Sequence, residues 1–226
     1  MTDAPDHGAE SRAPVGPSGP QTSGDNLDHD FALAQPQPVP REPDDPPDFP
    51  PFTALAQPRV YDSPWCGLRR DWIRLPSGAE QDYHVFEVSN AVAIVPVLPD
   101  GRILLLWQYR YPSGRNQWEV PAGRIHANEP PVDAAARELL EETGHRARRL
   151  VPLPGWFPTG GISAHYAHGF LAEGCEEVAA TNHDGSEQIL VRAFERDEVL
   201  RRLHAGRFAD AFTALTLFYA LTKPRG

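Results

Sequence analysis

The chain has 226 residues, 25 of them proline, and a net charge of −10 that is unevenly spread. Residues 1–58 hold ten Asp/Glu against two Arg, while the remainder carries 21 acids and 19 bases, so the acidity belongs to the first part. Two cysteines, no apolar run of about eighteen residues and one short arginine cluster at 145–149 exclude a zinc ribbon, a membrane span and a nucleic-acid-binding face.

Residues 1–58 hold about half the prolines, with Ser, Gly and Asp and few aliphatic residues. Such a segment cannot bury enough apolar surface to offset its ordering entropy, so a disordered, acidic, Pro-rich tail is expected. It has no apolar core near its start, so no secretion signal is expected, and with two cysteines the cytoplasm is the expected location. From residue 59 to 226 the length suits one domain. A coarse reading of the pattern predicts strands near 68–75, 81–88, 91–98 and 103–110, with a hairpin turn at 98–101. A short strand at 116–120 leads through a loop into a helix at 131–143. Strands near 147–153, 166–172 and 187–194 follow, then helices at about 195–204 and 209–222. The first of these is amphipathic through Val199, Leu200 and Leu203. The second is apolar on most sides and is expected to be buried, partly at a subunit contact.

The segment 123–144 reads GRIHANEPPVDAAARELLEETG. Pro131 suits a first helical turn, where its missing N–H has no partner to lose. Ala134, Ala135, Ala136, Leu139 and Leu140 favour helix, and Gly144 suits a left-handed stop. At about 100° per residue, Glu138, Glu141 and Glu142 share one stripe. Val132, Ala136, Leu139 and Leu140 fall on the opposite stripe, expected to face a core. The three glutamates occupy the negative end of the helix dipole and repel one another by about a few tenths of a kcal/mol per pair. A bound cation accounts for such a cluster better than solvent does, and carboxylate oxygens suit Mg²⁺ or Mn²⁺. Arg137 precedes Glu141 by four residues, a spacing that allows a bidentate pair and equally an ordinary surface one.

Gly123, Glu129, Arg137, Glu138, Leu139, Glu141, Glu142 and Gly144 stand in the pattern of the Nudix box, and the chain resembles a Nudix hydrolase. The flanks extend the resemblance over most of 59–226, toward the subgroup that cleaves ADP-ribose and nucleotide sugars. Gln108, Tyr109 and Arg110 end one strand in that subgroup's manner, and Trp118-Glu119-Val120-Pro121-Ala122-Gly123 leads into the box. The resemblance implies an α+β fold, an α/β/α sandwich around a mixed sheet, and hydrolysis assisted by two or three Mg²⁺ or Mn²⁺ ions. It implies that the Ala122 carbonyl, Glu138 and Glu142 ligate metal, with Glu141 close by and Glu129 a further ligand or water-bridged group. Arg137 would position Glu141, and Arg110 and Glu119 would face a small nucleotide substrate. Glu187 is the expected general base, with Glu176 and Glu177 as alternatives. The resemblance also implies a homodimer that exchanges N-terminal strands. The segment FPTGGISAHYAHGFLA departs from the subgroup: Gly160 replaces a proline, and Ala164 and His165 stand where an acidic pair is expected. That departure bears on ADP-ribose itself, not on the pyrophosphatase chemistry.

Water attack on a diphosphate needs neutralised charge, a deprotonated water and a stabilised leaving phosphate. No other phosphate machinery competes. A Walker A loop needs a lysine and the only one is Lys223; no Gly-x-Gly-x-x-Gly follows a strand, and no Gly-x-Ser-x-Gly appears. His165 and His168 read as ordinary surface or core histidines. The expected function is hydrolysis of an ADP-sugar-type nucleotide, ADP-ribose first, to a nucleoside monophosphate and a sugar phosphate. The alternatives are the same chemistry on GDP-sugars or another nucleoside diphosphate derivative, and a non-catalytic nucleotide-sugar sensor, disfavoured by the complete set of box acids.

Overall fold

The computed structural model of the chain describes residues 42–181 and 189–222. Its first sheet is built on β3 (Gly67–Arg74), which pairs along one edge with β4 (Glu80–Glu87). The other edge is shared by two short strands in succession, β1 (Thr53–Ala56) and β2 (Arg59–Asp62). Pro58 falls between them, where its missing N–H costs no ladder bond. Its carbonyl still accepts from the Arg70 amide at 3.0 Å, and the Gln57 side chain donates to Asp71 at 3.0 Å. Buried Asp71 also takes two bonds from Arg69, which hold its carboxyl below the usual range.

The second sheet carries the core. It contains β5 (Ala91–Val97), β6 (Ile103–Arg110), β7 (Arg115–Glu119), β8 (Ala122–Arg124), β10 (Arg149–Pro152), β11 (Ala167–Glu173) and β13 (Ile189–Phe194). β11 runs parallel to β5 and the other pairings are antiparallel, giving the mixed sheet that was expected. β5 is buried along nearly its whole length. Its alternate residues Val92 and Ile94 pack with Ile125, Leu139 and Phe170 beneath α1 (Pro131–Thr143). Ala93 and Val95 face the other way, into a core with Val199 of α2 (Arg196–His204) and Leu217 of α3 (Ala211–Thr222). Fully burying each valine or isoleucine contributes about 1.5–3 kcal/mol, and helices on both faces make the α/β/α sandwich.

β5 and β6 share a single pair, Val97 with Ile103, and then separate. β7 follows β6 and β8 follows β5, so the segment between 115 and 124 fills the wedge and breaks at Val120 and Pro121. Backbone groups at a buried break need partners from elsewhere. Pro121 has no N–H, and its carbonyl accepts from Ile94 at 2.9 Å. The Val120 amide donates to Thr213 Oγ1 of α3 at 3.2 Å, and the Ala122 amide to Glu142 Oε2 of α1 at 3.0 Å. The break is thus stapled to a helix on each face.

β3 to β7, β10, β11, β13 and the three helices lie close to the predicted spans, whereas β8 falls in the stretch read as the loop before α1. β1 and β2 were not predicted, and β1 falls before the expected boundary at residue 58, inside the stretch read as tail. Two further two-residue strands, β9 (His145–Arg146) and β12 (Glu176–Glu177), pair with each other beyond α1. The buried face of α1 differs from the expected one: Val132 and Ala136 are exposed, and Ala134, Ala135, Leu139, Glu142 and Thr143 are buried. α3 buries Thr213 and Thr216 beside Leu217 and Leu221, and leaves Phe218 exposed. Among the described residues, no helix is long and apolar enough to cross a membrane.

Thr213 is wholly buried, donates to Asp210 Oδ2 at 2.9 Å and accepts from the Val120 amide. Thr213→Val keeps the shape and orphans that amide, so urea unfolding should show a loss of about 1–3 kcal/mol. An unchanged midpoint would mean the amide has another partner.

Candidate active site

α1 reaches the strand break through two acids. It stops at Gly144, whose φ of 71° is left-handed and whose missing Cβ spares the Ala179 carbonyl, 2.2 Å from where one would sit. Its last turns aim Glu142 inward, where the residue is 8% exposed and its carboxylate holds the Ala122 amide. One turn earlier, Glu138 lays its carboxyl on Gly123: a Cβ there would sit 2.0 Å from the carboxyl carbon. Only glycine leaves room for that acid. Burial pushes the Glu138 carboxyl above its ordinary range, against the opposing pull of Arg137.

Arg137 ties the remaining box acids together. Its Nε and Nη2 donate to both oxygens of Glu129 at 2.9 Å, and its Nη1 to Glu138 at 2.7 Å and Glu141 at 3.2 Å. Nη2 also reaches the Arg124 carbonyl at 2.9 Å. The principal partner of Arg137 is therefore Glu129, not Glu141 as the helical spacing suggested. The guanidinium, with a further bond from the His126 amide, lowers the Glu129 carboxyl to about 2. The shared stripe predicted for Glu138, Glu141 and Glu142 is split. Glu142 is buried on the sheet side, Glu138 is largely buried at Gly123, and Glu141 is 44% exposed.

Glu119 organises the far wall. Period-two alternation puts Arg115, Gln117 and Glu119 on one face of β7, opposite Arg110, Gln108 and Leu106 of β6. The Glu119 carboxylate, almost wholly buried, accepts from Gln108 at 2.7 Å, Gln117 at 2.6 Å and Arg110 at 2.6–3.1 Å. Arg110 thus reaches back along the strand to Glu119. Its charge is raised in pKa by Glu119, with Glu142 and Asp210 adding, against the cost of burial. An open cleft of about 640 Å³ runs between these walls, lined by Arg110 and Glu119, by Ala122 and Gly123, and by Asp210 and Phe212 at the start of α3. Arg115 and Arg124 also line it, and the sequence had singled out neither of them nor Asp210 and Phe212. For Arg115 the alternation of β7 was the available signal; the α3 residues reach the cleft by tertiary packing alone. Arg124 lies against the Trp65 ring at 5.3 Å.

Glu187 lies outside the described residues. Glu176 and Glu177 sit in β12 beyond the C-terminal end of α1, do not line the cleft, and Glu176 is tied to Arg148. His165 donates its Nδ1 proton to the Ser89 carbonyl at 2.6 Å and stacks on Phe212, while His168 packs edge-on against Tyr166. Burial lowers the pKa of both. Among the described residues, no three Asp, Glu, His or Cys side chains converge as a ready metal cage. The donor set at the break is two carboxylates, Glu138 and Glu142, with the Ala122 carbonyl. Those hard oxygens fit Mg²⁺ or Mn²⁺, ions that keep water and substrate oxygens in several positions.

An α/β/α sandwich that packs an acidic helix onto a Pro-Ala-Gly strand break has the architecture of a phosphoanhydride hydrolase. The NUDIX domain model matches residues 88–215, and that of the nucleoside diphosphate sugar hydrolase N-terminal domain matches residues 55–86. The chain belongs to the Nudix family and is a hydrolase of its pyrophosphatase type. It is similar to an ADP-ribose pyrophosphatase of Mycobacterium tuberculosis, 33% identical over 183 residues, 76% of this chain and 88% of that one. An ADP-ribose pyrophosphatase of Bacillus subtilis is 28% identical over 170 residues, 75% of this chain and 92% of that one. A crystal structure of an ADP compounds hydrolase shares the fold, with a TM-score of 0.69 at 21% identity, covering 77% of this chain and 95% of that one.

The raised pKa of Glu138 has a consequence for stability. An acid whose folded pKa lies above the ordinary 4.5 loses stability as pH rises through and beyond that value. A cation that binds the ionised form restores it. Without divalent ions at neutral pH, Glu138→Gln should therefore melt no lower than the parent. The rise in melting temperature that Mg²⁺ gives the parent should vanish in the variant. An undiminished Mg²⁺ response would remove Glu138 from the cation site.

Proposed function

We propose that the chain hydrolyses the diphosphate bond of an ADP-sugar-type nucleotide, ADP-ribose being the leading substrate, to a nucleoside monophosphate and a sugar phosphate. The observation that carries this reading is the placement of two carboxylates at the cleft's strand break: Glu142 bonded to the Ala122 amide and Glu138 laid on Gly123. Relatives that cover three quarters of the chain are named as ADP-ribose pyrophosphatases, which supports the substrate class.

Glu138, Glu142 and the Ala122 carbonyl would hold two or three Mg²⁺ or Mn²⁺ ions together with substrate oxygens. Such ions supply neutralisation of the diphosphate charge and favour ionisation of the attacking water. Arg137 orients Glu138 and Glu141 and offsets their mutual repulsion, so the acids keep fixed rotamers beside the cleft. Glu129, with both oxygens on Arg137, fixes that guanidinium in its turn and acts as a positioning residue rather than a direct ligand. Glu119 fixes Arg110 at the opposite wall, ready to face the nucleotide. Glu187 is assigned as the base that takes the water proton.

The domain is assigned to residues 53–226, extending the boundary read at 59 to include β1. We place the enzyme in the cytoplasm as a homodimer joined through its first sheet, where Val60, Tyr61, Trp72 and Phe86 are exposed.

A panel of nucleoside diphosphate derivatives, incubated with Mg²⁺ or Mn²⁺ and read by chromatography for released monophosphate, tests the reading. ADP-ribose or another ADP-sugar should lead the panel, and Glu142→Gln should lose turnover by about two orders of magnitude or more while remaining folded. Full turnover in that variant, or no hydrolysis of any diphosphate, would contradict the proposal; GDP-sugars leading would move the substrate and keep the chemistry.

A further inference from the structure

The β6–β7 hairpin sets Arg110 directly opposite Arg115. Like charges so placed repel, and a sheet tolerates the pair when something anionic answers it. Arg110 is answered by Glu119 through bonds to both carboxylate oxygens. Arg115 is not. The oxygens of Glu119 are taken by Gln108, Gln117 and Arg110, and the Arg115 side chain has no ion pair or hydrogen bond among the described residues. Its side chain nevertheless lines the same cleft as Ala122 and Gly123.

Distance decides what Arg115 can reach. A strand advances about 3.3 Å per residue, so the seven steps from Arg115 to Ala122 span roughly 20 Å along β7 and the break. An arginine arm spans less than half of that. A phosphoryl group seated at Ala122 and Gly123 is therefore out of its range, whereas a group carried beyond the diphosphate, on a sugar at the far end of an extended substrate, approaches it. We propose that Arg115 is a specificity-determining residue for a second anionic substituent, a phosphate ester carried on one of the sugars of a nucleoside diphosphate sugar. This rests on the proposed function in seating the diphosphate at the strand break. Arginine suits the role because its planar fork matches two phosphate oxygens at once, whatever the protonation of the ester near neutral pH.

The test compares ADP-ribose with two phosphorylated forms, one esterified at the 2′-hydroxyl of the adenosine ribose and one on the terminal ribose. With the full chain and Mg²⁺, one of the two should show a kcat/KM about tenfold or more above ADP-ribose, expressed mainly as a lower KM. The arm that responds identifies which sugar faces the hairpin. Arg115→Gln should bring the ratio to within about twofold of one, and Arg115→Lys should keep part of it. Equal handling of all three compounds by the parent, or a preference that survives Arg115→Gln, overturns the proposal. Calorimetric binding of the same compounds separates the two readings: with no hydrolysis at all, an affinity gap that closes in Arg115→Gln sustains the anion site while the hydrolase reading falls.

Discussion

One hydrogen bond, from the Ala122 amide to the buried carboxylate of Glu142, fixes the geometry on which the site depends. It joins the helix that carries the acids to the point where the central sheet splits. Pro121 interrupts the ladder there and leaves backbone groups that no neighbouring strand can serve. The carboxylate answers one of them, and the Thr213 hydroxyl, from the opposite face, answers another. Because the register is set at Ala122, the next residue meets Glu138, and Gly123 has no side chain to push that acid away. An unpaired buried amide would cost on the order of 1–3 kcal/mol, so the same bond that aligns the site also holds the fold.

The electrostatics follow from that placement. Carboxylates crowd the end of a helix where the backbone dipole opposes them. One guanidinium, Arg137, bonds two of them, Glu138 and Glu141, along with Glu129 from the loop before the helix, and leaves the group with excess negative charge. Glu129 and Glu138 feel opposite effects of the same neighbourhood. Glu129 is lowered because both its oxygens accept from Arg137, whereas Glu138 is raised because burial outweighs its share of that arginine. An acid kept buried against Gly123 at such cost is suited to a cation. On the far wall the balance reverses: Glu119 is saturated with donors and Arg115 lines the cleft.

Much of this was legible in the residues. Pro131 and Gly144 marked the ends of α1, and unbroken burial with hairpin punctuation marked β5 and β6. Glu138, Glu142, Ala122 and Gly123 were singled out before any geometry, and they meet at the strand break. Helical periodicity misplaced Glu142, because an arc at about 100° per residue sorts polar from apolar and cannot know that an amide waits on the buried side. The same local view paired Arg137 with Glu141, four residues on, and missed Glu129, eight residues back across a loop. β1 and β2 escaped notice because four-residue strands flanked by Pro51 and Pro58 look like the Pro-rich stretch before them. The face shared by Arg115, Gln117 and Glu119 was readable from alternation in β7, but its meaning came only from seeing Glu119 saturated.

Glu138, Glu142 and the Ala122–Gly123 strand are proposed to make a site for divalent cations. Titrating the protein into Mn²⁺ with ADP present, and following the electron paramagnetic resonance of free Mn²⁺, measures it directly. The free signal should fall in proportion to added protein, and a Glu138→Gln, Glu142→Gln double variant should leave it nearly unchanged. Equal Mn²⁺ uptake by the double variant, or none by the parent, would contradict it.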